Sequence, residues 1–98
     1  MVIVVRDIVD SCDTNAQGAV VSDVVLSYLT LGRSVTLDFS GVFNVTTSFV
    51  NTAFVDLLDH FSFDSVKAGL VLKNTNRQIG TLIKGRMLQK AQSERDAA

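Results

Sequence analysis

Short apolar runs alternate with longer segments of helical periodicity along the chain. β-Branched and aliphatic residues dominate the short runs, which is typical of strands buried in a sheet. The predicted strands are Met1–Val5, Ser34–Asp38 and Val66–Leu72. In the longer segments, apolar residues recur at the spacing of a helix with one buried face. The predicted helices are Gln17–Leu31, Ser48–Phe61 and Arg77–Ser93.

This β-α-β-α-β-α order predicts a single small α/β domain with a mostly parallel sheet and right-handed crossovers. The domain covers residues 1–93, and the tail 94–98 is expected to fray. The first helix is rich in valine, so a strand over Ala19–Leu26 is an open alternative. Gly32 predicts where that helix ends. In the last helix, Gly80 and Gly85 would let another backbone approach closely.

The composition is more apolar than usual for so short a chain. Hydrophobic residues make up 47% and charged residues 19%, against about 25% charged in typical domains. We therefore expect an apolar surface patch that meets a partner or a second copy. The formal net charge of −1 does not indicate a nucleic-acid-binding protein.

The charges are unevenly distributed along the chain. Residues 1–72 hold three basic and eight acidic side chains, whereas residues 73–98 hold six basic and two acidic ones. Cations near the end of the last helix suit its dipole, so a solvated helix face is one interpretation. A docking surface for an acidic partner is the other.

The chain offers few groups for catalysis. His60 and Cys12 are the only residues of their types, so we predict no metal site and no internal disulfide. Asp38 ends a predicted strand, where sites gather in parallel sheets, but it can also cap the following turn. We therefore expect no enzyme activity and no cofactor. With no apolar run long enough to span a bilayer and no leader segment, we expect a cytoplasmic protein without membrane contact.

The most specific pattern is DFSGVFNVTTSFVNTAF, residues 38–54. It follows a predicted strand with a break at Gly41, a residue type that tolerates unusual backbone angles. Three hydroxyl residues, Thr46, Thr47 and Ser48, then precede the predicted helix. Any of them could cap that helix by accepting the free amide hydrogens of its first turn.

This segment resembles the central motif of the STAS domain, the fold of bacterial anti-sigma-factor antagonists. That motif runs Asp-Leu-Ser-Gly-Val and then, after a few residues, Met-Asp-Ser-Ser/Thr-Gly-Leu-Gly. The residues that match it are Asp38, Ser40, Gly41, Val42, Thr47 and Ser48. The similarity is closer to small bacterial STAS-like domains of unknown function, which carry a Ser-Phe pair after the strand. Thr46 and Phe49 depart from the motif, because they stand where it has aspartate and glycine.

The resemblance implies helices largely on one face of the sheet and a non-enzymatic protein–protein interaction module. In anti-sigma-factor antagonists the matching hydroxyl is phosphorylated by a partner kinase of the histidine-kinase-like ATPase fold. This implies Ser48, with Thr47 beside it, as the modified residue, although a plain capping hydroxyl is the alternative. The implied partner-binding residues are Asp38, Ser40, Gly41, Thr46, Thr47, Ser48 and Phe49.

Two other function classes stay open. The chain could be a structural homodimer or a subunit of a larger assembly without a phospho-switch. Its apolar faces and the helix with Gly80 and Gly85 would then form the interface. A small-ligand or enzyme site at the carboxyl edge of the sheet, using Asp38 and the hydroxyls, is the third class.

Overall fold

The computed structural model describes the backbone of residues 1–97 and the side chains of residues 1–93. Its strands are β1 (Val2–Val4), β2 (Val35–Asp38) and β3 (Leu70–Lys73). Its α-helices are α1 (Val5–Ile8), α2 (Asn15–Thr30), α3 (Thr47–Ala53), α4 (Phe63–Gly69) and α5 (Arg77–Ala97). A 3-10 turn, Val55–Asp59, follows α3. None of the helices described combines the length and hydrophobicity needed to cross a bilayer.

The three strands form one parallel sheet in the order β1-β2-β3. In the central strand, Val35 and Leu37 are fully buried, whereas Thr36 and Asp38 are half-buried. This alternation arises because successive side chains of a strand point to opposite faces. The helices therefore cover one face, and the predicted α/β fold with parallel strands is confirmed.

The opposite face of the sheet is only partly covered. Val2, Thr36 and Val71 are paired in register across the three strands, so their side chains share this face. Val2 is 54% exposed and Val71 is 50% exposed. Strand β1 is thus exposed on one face, although its continuous apolar run is typical of a strand that is buried on both faces.

Three aromatic side chains pack together in the largely aliphatic core between the sheet and the helices. The ring centroids of Phe39 and Phe54 are 6.3 Å apart, and those of Phe49 and Phe54 are also 6.3 Å apart in an edge-to-face arrangement. Such geometry suits the quadrupoles of the rings. All three side chains are fully buried, so the loop and helix after β2 are anchored in the core.

The first long helix is capped at both ends, and its predicted end at Gly32 is confirmed. Thr14 caps α2 in a capping box, in which its hydroxyl accepts from the Gln17 amide and the Gln17 side chain accepts from the Thr14 amide. At the other end, Gly32 has a φ of 71°, and the Arg33 amide donates to the Tyr28 carbonyl at 2.9 Å. The alternative strand over Ala19–Leu26 is therefore wrong.

Helices α2 and α3 pack closely against each other at Gly18. A β-carbon on Gly18 would lie 2.8 Å from the Phe49 carbonyl oxygen and 2.9 Å from the Thr52 β-carbon. Among the residues that the structure describes, no backbone makes the predicted close approach at Gly80 or Gly85. Gly85 has no such neighbour within 4 Å, and Gly80 meets only the Thr75 hydroxyl at 3.6 Å.

The predicted end of the first strand and the predicted start of the third strand are wrong. Strand β1 ends at Val4, and Val5, which was predicted to belong to the strand, is the first residue of α1. The predicted strand Val66–Leu72 is helical in its first part. The Ser62 hydroxyl accepts from the Ser65 amide at 3.1 Å and starts α4, so that only β3 remains as strand.

The two later helices also differ in extent from the predictions. The expected helix Ser48–Phe61 is divided into α3 and the 3-10 turn, because the Phe54 backbone leaves the helical region with a φ of −125° and a ψ of −47°. Helix α5 extends beyond the predicted end at Ser93. The side chains of the predicted frayed tail, 94–98, lie outside the described residues, so fraying stays a prediction.

Candidate functional site

The loops that follow the three parallel strands meet at one edge of the sheet, as parallel topology requires. The loop after β2, residues 39–46, is hydrogen-bonded on both sides. The Thr46 amide donates to the Cys12 carbonyl at 3.1 Å on one side. On the other side, the Asn76 side chain donates to the Phe43 carbonyl at 2.6 Å. The loop is therefore held in place between its two neighbours.

Asp38, Ser40 and Asn74 form a hydrogen-bonded cluster where β2 and β3 end. One Asp38 carboxylate oxygen accepts from the Ser40 hydroxyl at 2.6 Å, the Ser40 amide at 2.9 Å and the Asn74 side chain at 2.9 Å. Asn74 also donates to the Ser40 hydroxyl at 3.0 Å and has a φ of 58°. The cluster ties the end of the central strand to the end of β3.

These hydrogen bonds, first of all the one from the Ser40 hydroxyl, lower the pKa of Asp38 from 3.8 to about 2. A carboxylate with so low a pKa is a weak general base. The geometry therefore supports the turn-capping interpretation of Asp38.

Gly41 lets the loop pass close to the first helix. It has a φ of 78°, in the left-handed region that favours glycine. A β-carbon here would lie 2.7 Å from Nη1 of Arg6. Two residues further on, the Phe43 side chain is 81% exposed. The loop thus presents an aromatic ring to solvent from a fixed backbone.

Thr46 is the residue that caps α3. Its hydroxyl accepts from the Phe49 amide at 3.2 Å and donates to the Asp13 carbonyl at 2.8 Å. Threonine thus performs at this position the capping that an aspartate side chain could also perform. Thr46 also connects the motif loop to the loop before α2.

Thr47 and Ser48 occupy the first two positions of α3, and both are exposed. Within the side chains described, neither hydroxyl takes part in a hydrogen bond. The Phe49 ring points into the core and is fully buried. It therefore leaves Ser48 uncovered, and its own side chain is not available to a partner in this fold.

A family model described as the STAS-like domain of unknown function (DUF4325) matches residues 17–79. The chain belongs to this family. The matched region of the STAS-like domain begins in α2, contains the whole loop 39–46 and ends in the first turn of α5. No curated protein and no solved structure gives a significant match to the chain.

Several side chains that shape this edge of the STAS-like domain were not anticipated as site residues. Asn74 and Asn76 follow a strand and are typical turn and cap residues. That signal predicts their turn, but not their hydrogen bonds to a loop more than thirty residues away. The contact of Arg6 with Gly41 has no local signal at all. Phe43 could have been noted as an aromatic residue within a loop.

The side chains of Cys12 and His60, the two residues with potential for other chemistry, make none of these hydrogen bonds. Cys12 is buried, and burial, together with the nearby Asp13 carboxylate, raises the pKa of its thiol to about 11. His60 is exposed beyond the 3-10 turn. Among the described residues, no group of three histidine, cysteine or acidic side chains is arranged to hold a metal ion.

Proposed function

We propose that the STAS-like domain is a non-enzymatic protein–protein interaction module. Its contact surface is the loop Ser40–Thr47 together with the start of α3. This proposal rests on the different environments of three adjacent hydroxyl groups. Thr46 is engaged in capping, whereas Thr47 and Ser48 are exposed at the end of a loop fixed on both sides. A surface of this kind is ordered before a partner binds, which lowers the entropy cost of binding.

In the regulatory form of this proposal, phosphorylation of Ser48 controls whether the partner binds. The Ser48 Oγ accepts the γ-phosphoryl group of ATP, ADP leaves, and the hydroxyl proton passes to a base of the kinase. The kinase is a partner of the histidine-kinase-like ATPase class, and Thr47 is the neighbouring acceptor. A cytoplasmic location belongs to the same proposal, because ATP is available there.

Two features of the surface support this form. The buried Phe49 ring does not obstruct access to Ser48, although it replaces the glycine of the wider motif. The exposed Phe43 ring lies on the same loop and offers an apolar contact. A doubly negative phosphate added beside such a contact would oppose binding through charge and desolvation.

A structural homodimer without a phospho-switch is the second candidate. The exposed Val2 and Val71 on the uncovered face of the sheet favour it, since a second copy could bury both. Sedimentation velocity over a range of concentrations tests this candidate. A monomer whose sedimentation does not change with concentration would contradict it.

The proposed contact surface is tested by charge substitution at Ser48. We expect Ser48→Asp to weaken the complex with the partner recovered from native lysate by about tenfold or more, a loss of at least about 1.4 kcal/mol. Ser34→Asp is the matched control, because Ser34 is also exposed but precedes the amino end of β2. Unchanged affinity of Ser48→Asp in isothermal titration calorimetry would contradict the proposal.

A further inference from the structure

A half-open apolar groove lies along β3, between α4 and α5. Its volume is about 310 Å³, at the lower end of the ~300–1,000 Å³ of pockets that hold small molecules. The floor and walls consist of apolar side chains apart from two lysines. The lining residues are Phe63, Val66, Lys67, Leu70, Leu72, Ile83, Lys84, Met87 and Leu88.

The groove exists because the hydrophobic core is not closed at the β3 edge of the sheet. On the central strand, the core-facing Leu37 is fully buried, whereas its register partner Leu72 on β3 is only half-buried. Leu70 is likewise half-buried, and Leu88 on α5 is 45% exposed. Apolar side chains at this side of the core are therefore partly exposed to solvent.

The two charged residues that line the groove are both basic. Lys67 on α4 and Lys84 on α5 are exposed, and no acidic side chain is among the residues lining the groove. Within residues 1–93, neither lysine takes part in an ion pair. A ligand with apolar side chains flanked by carboxylates would complement both the floor and the rim.

We propose that this groove is a docking site for an amphipathic helix of another protein, with large aliphatic side chains on one face and acidic residues beside them. Helix-in-groove recognition uses apolar anchors at i, i+4 and i+7, which fill a shallow groove of this kind. The unbranched Met87 and the half-exposed leucines can adapt to different anchors. The groove shares no residue with the loop Ser40–Thr47, so this docking site is independent of the phospho-switch.

The test uses two synthetic helical peptides of about 14 residues, each with leucine at i, i+4 and i+7. One carries glutamates at both ends, and the other carries lysines at the same positions. Two-dimensional amide NMR spectra of the isotope-labelled domain report where each peptide binds. We expect saturable shifts at the residues of α4, β3 and α5 that line the groove, with the acidic peptide binding about tenfold more tightly than the basic one.

Variants of the domain connect this binding to the groove. Lys67→Glu with Lys84→Glu should weaken the acidic peptide about tenfold, whereas Arg33→Glu with Arg77→Glu gives the same net charge and should not. Leu88→Ser should weaken both peptides. Val20→Ser is its control, because Val20 is 42% exposed on α2 and does not line the groove.

Four results would overturn the proposal. These are the lack of saturable binding by either peptide, equal affinity for the two peptides, shifts confined to other surfaces, and equal loss in the control variants. Groove shifts that grow with protein concentration alone would assign the groove to a second copy instead. Groove shifts caused by palmitate when neither peptide produces any would assign it to a lipid.

Discussion

The contact between α2 and α3 predicts that Gly18→Ala destabilises the domain, although alanine favours helices. The added β-carbon would lie 2.8 Å from the Phe49 carbonyl oxygen and 3.2 Å from the Ala53 amide nitrogen. Both are backbone atoms, so the contact cannot be relieved by rotating a side chain. One of the two helices must move, and Phe49 and Ala53 are both fully buried.

The change in the free energy of unfolding expected for Gly18→Ala is the sum of two opposing contributions. Replacing glycine by alanine in a helix interior gains about 1 kcal/mol. Overpacking a well-packed contact costs about 1–3 kcal/mol, and backbone atoms place this contact toward the upper end. We therefore expect a net loss of about 1–2 kcal/mol, which lowers the melting temperature by about 4–8 °C for each kcal/mol in a domain of this size.

Urea unfolding followed by far-UV circular dichroism measures this difference. The matched control is Gly85→Ala in α5, where nothing lies within 4 Å of the added β-carbon. In this variant only the higher helix propensity of alanine acts, so its free energy of unfolding should rise by about 1 kcal/mol. If both variants gained similar stability, the close packing of α2 on α3 would be refuted.

Three further predictions follow from the site. Thr46→Ala should lower the free energy of unfolding in urea by about 1–2 kcal/mol, because the α3 cap is lost. Thr47→Ala and Ser48→Ala should change it by no more than about 0.5 kcal/mol. Equal losses at all three positions would contradict the assignment of the cap. The extra stability of the wild type over Asp38→Asn should be complete above about pH 4 and disappear as the pH falls through about 2, since folding lowers this pKa; a difference that does not change with pH would contradict it. Cys12, with its pKa raised to about 11, should react with iodoacetamide at neutral pH far more slowly in the folded protein than in urea; equal rates would show that the thiol is accessible.

Local signals in the sequence predicted the fold class and most elements. Alternating apolar runs and periodic segments are local patterns, so the parallel sheet and α2 could be recognised from them. Gly32 likewise predicted the end of α2, since a left-handed residue there satisfies the last carbonyls. The run Val66–Leu72 misled the prediction because a continuous apolar run does not distinguish a strand from a short buried helix.

The candidate site was only partly predictable for a related reason. Motif resemblance and hydroxyl spacing located the loop and the start of α3. Which hydroxyl caps the helix depends on the Asp13 carbonyl, which α2 and its preceding loop bring to Thr46 from a distant part of the sequence. The close approach at Gly18 also depends on how α2 packs on α3. Such tertiary contacts have no local pattern.

The most direct test of the proposed function is a pull-down of tagged protein from its native lysate, with mass spectrometry of both bait and prey. Wild type and Ser48→Ala serve as paired baits. We predict that an ATPase-type kinase is recovered with both and that phosphate is found on Ser48 of the wild type alone. Recovery of only the protein itself, unmodified, would contradict the interaction module and favour the structural homodimer.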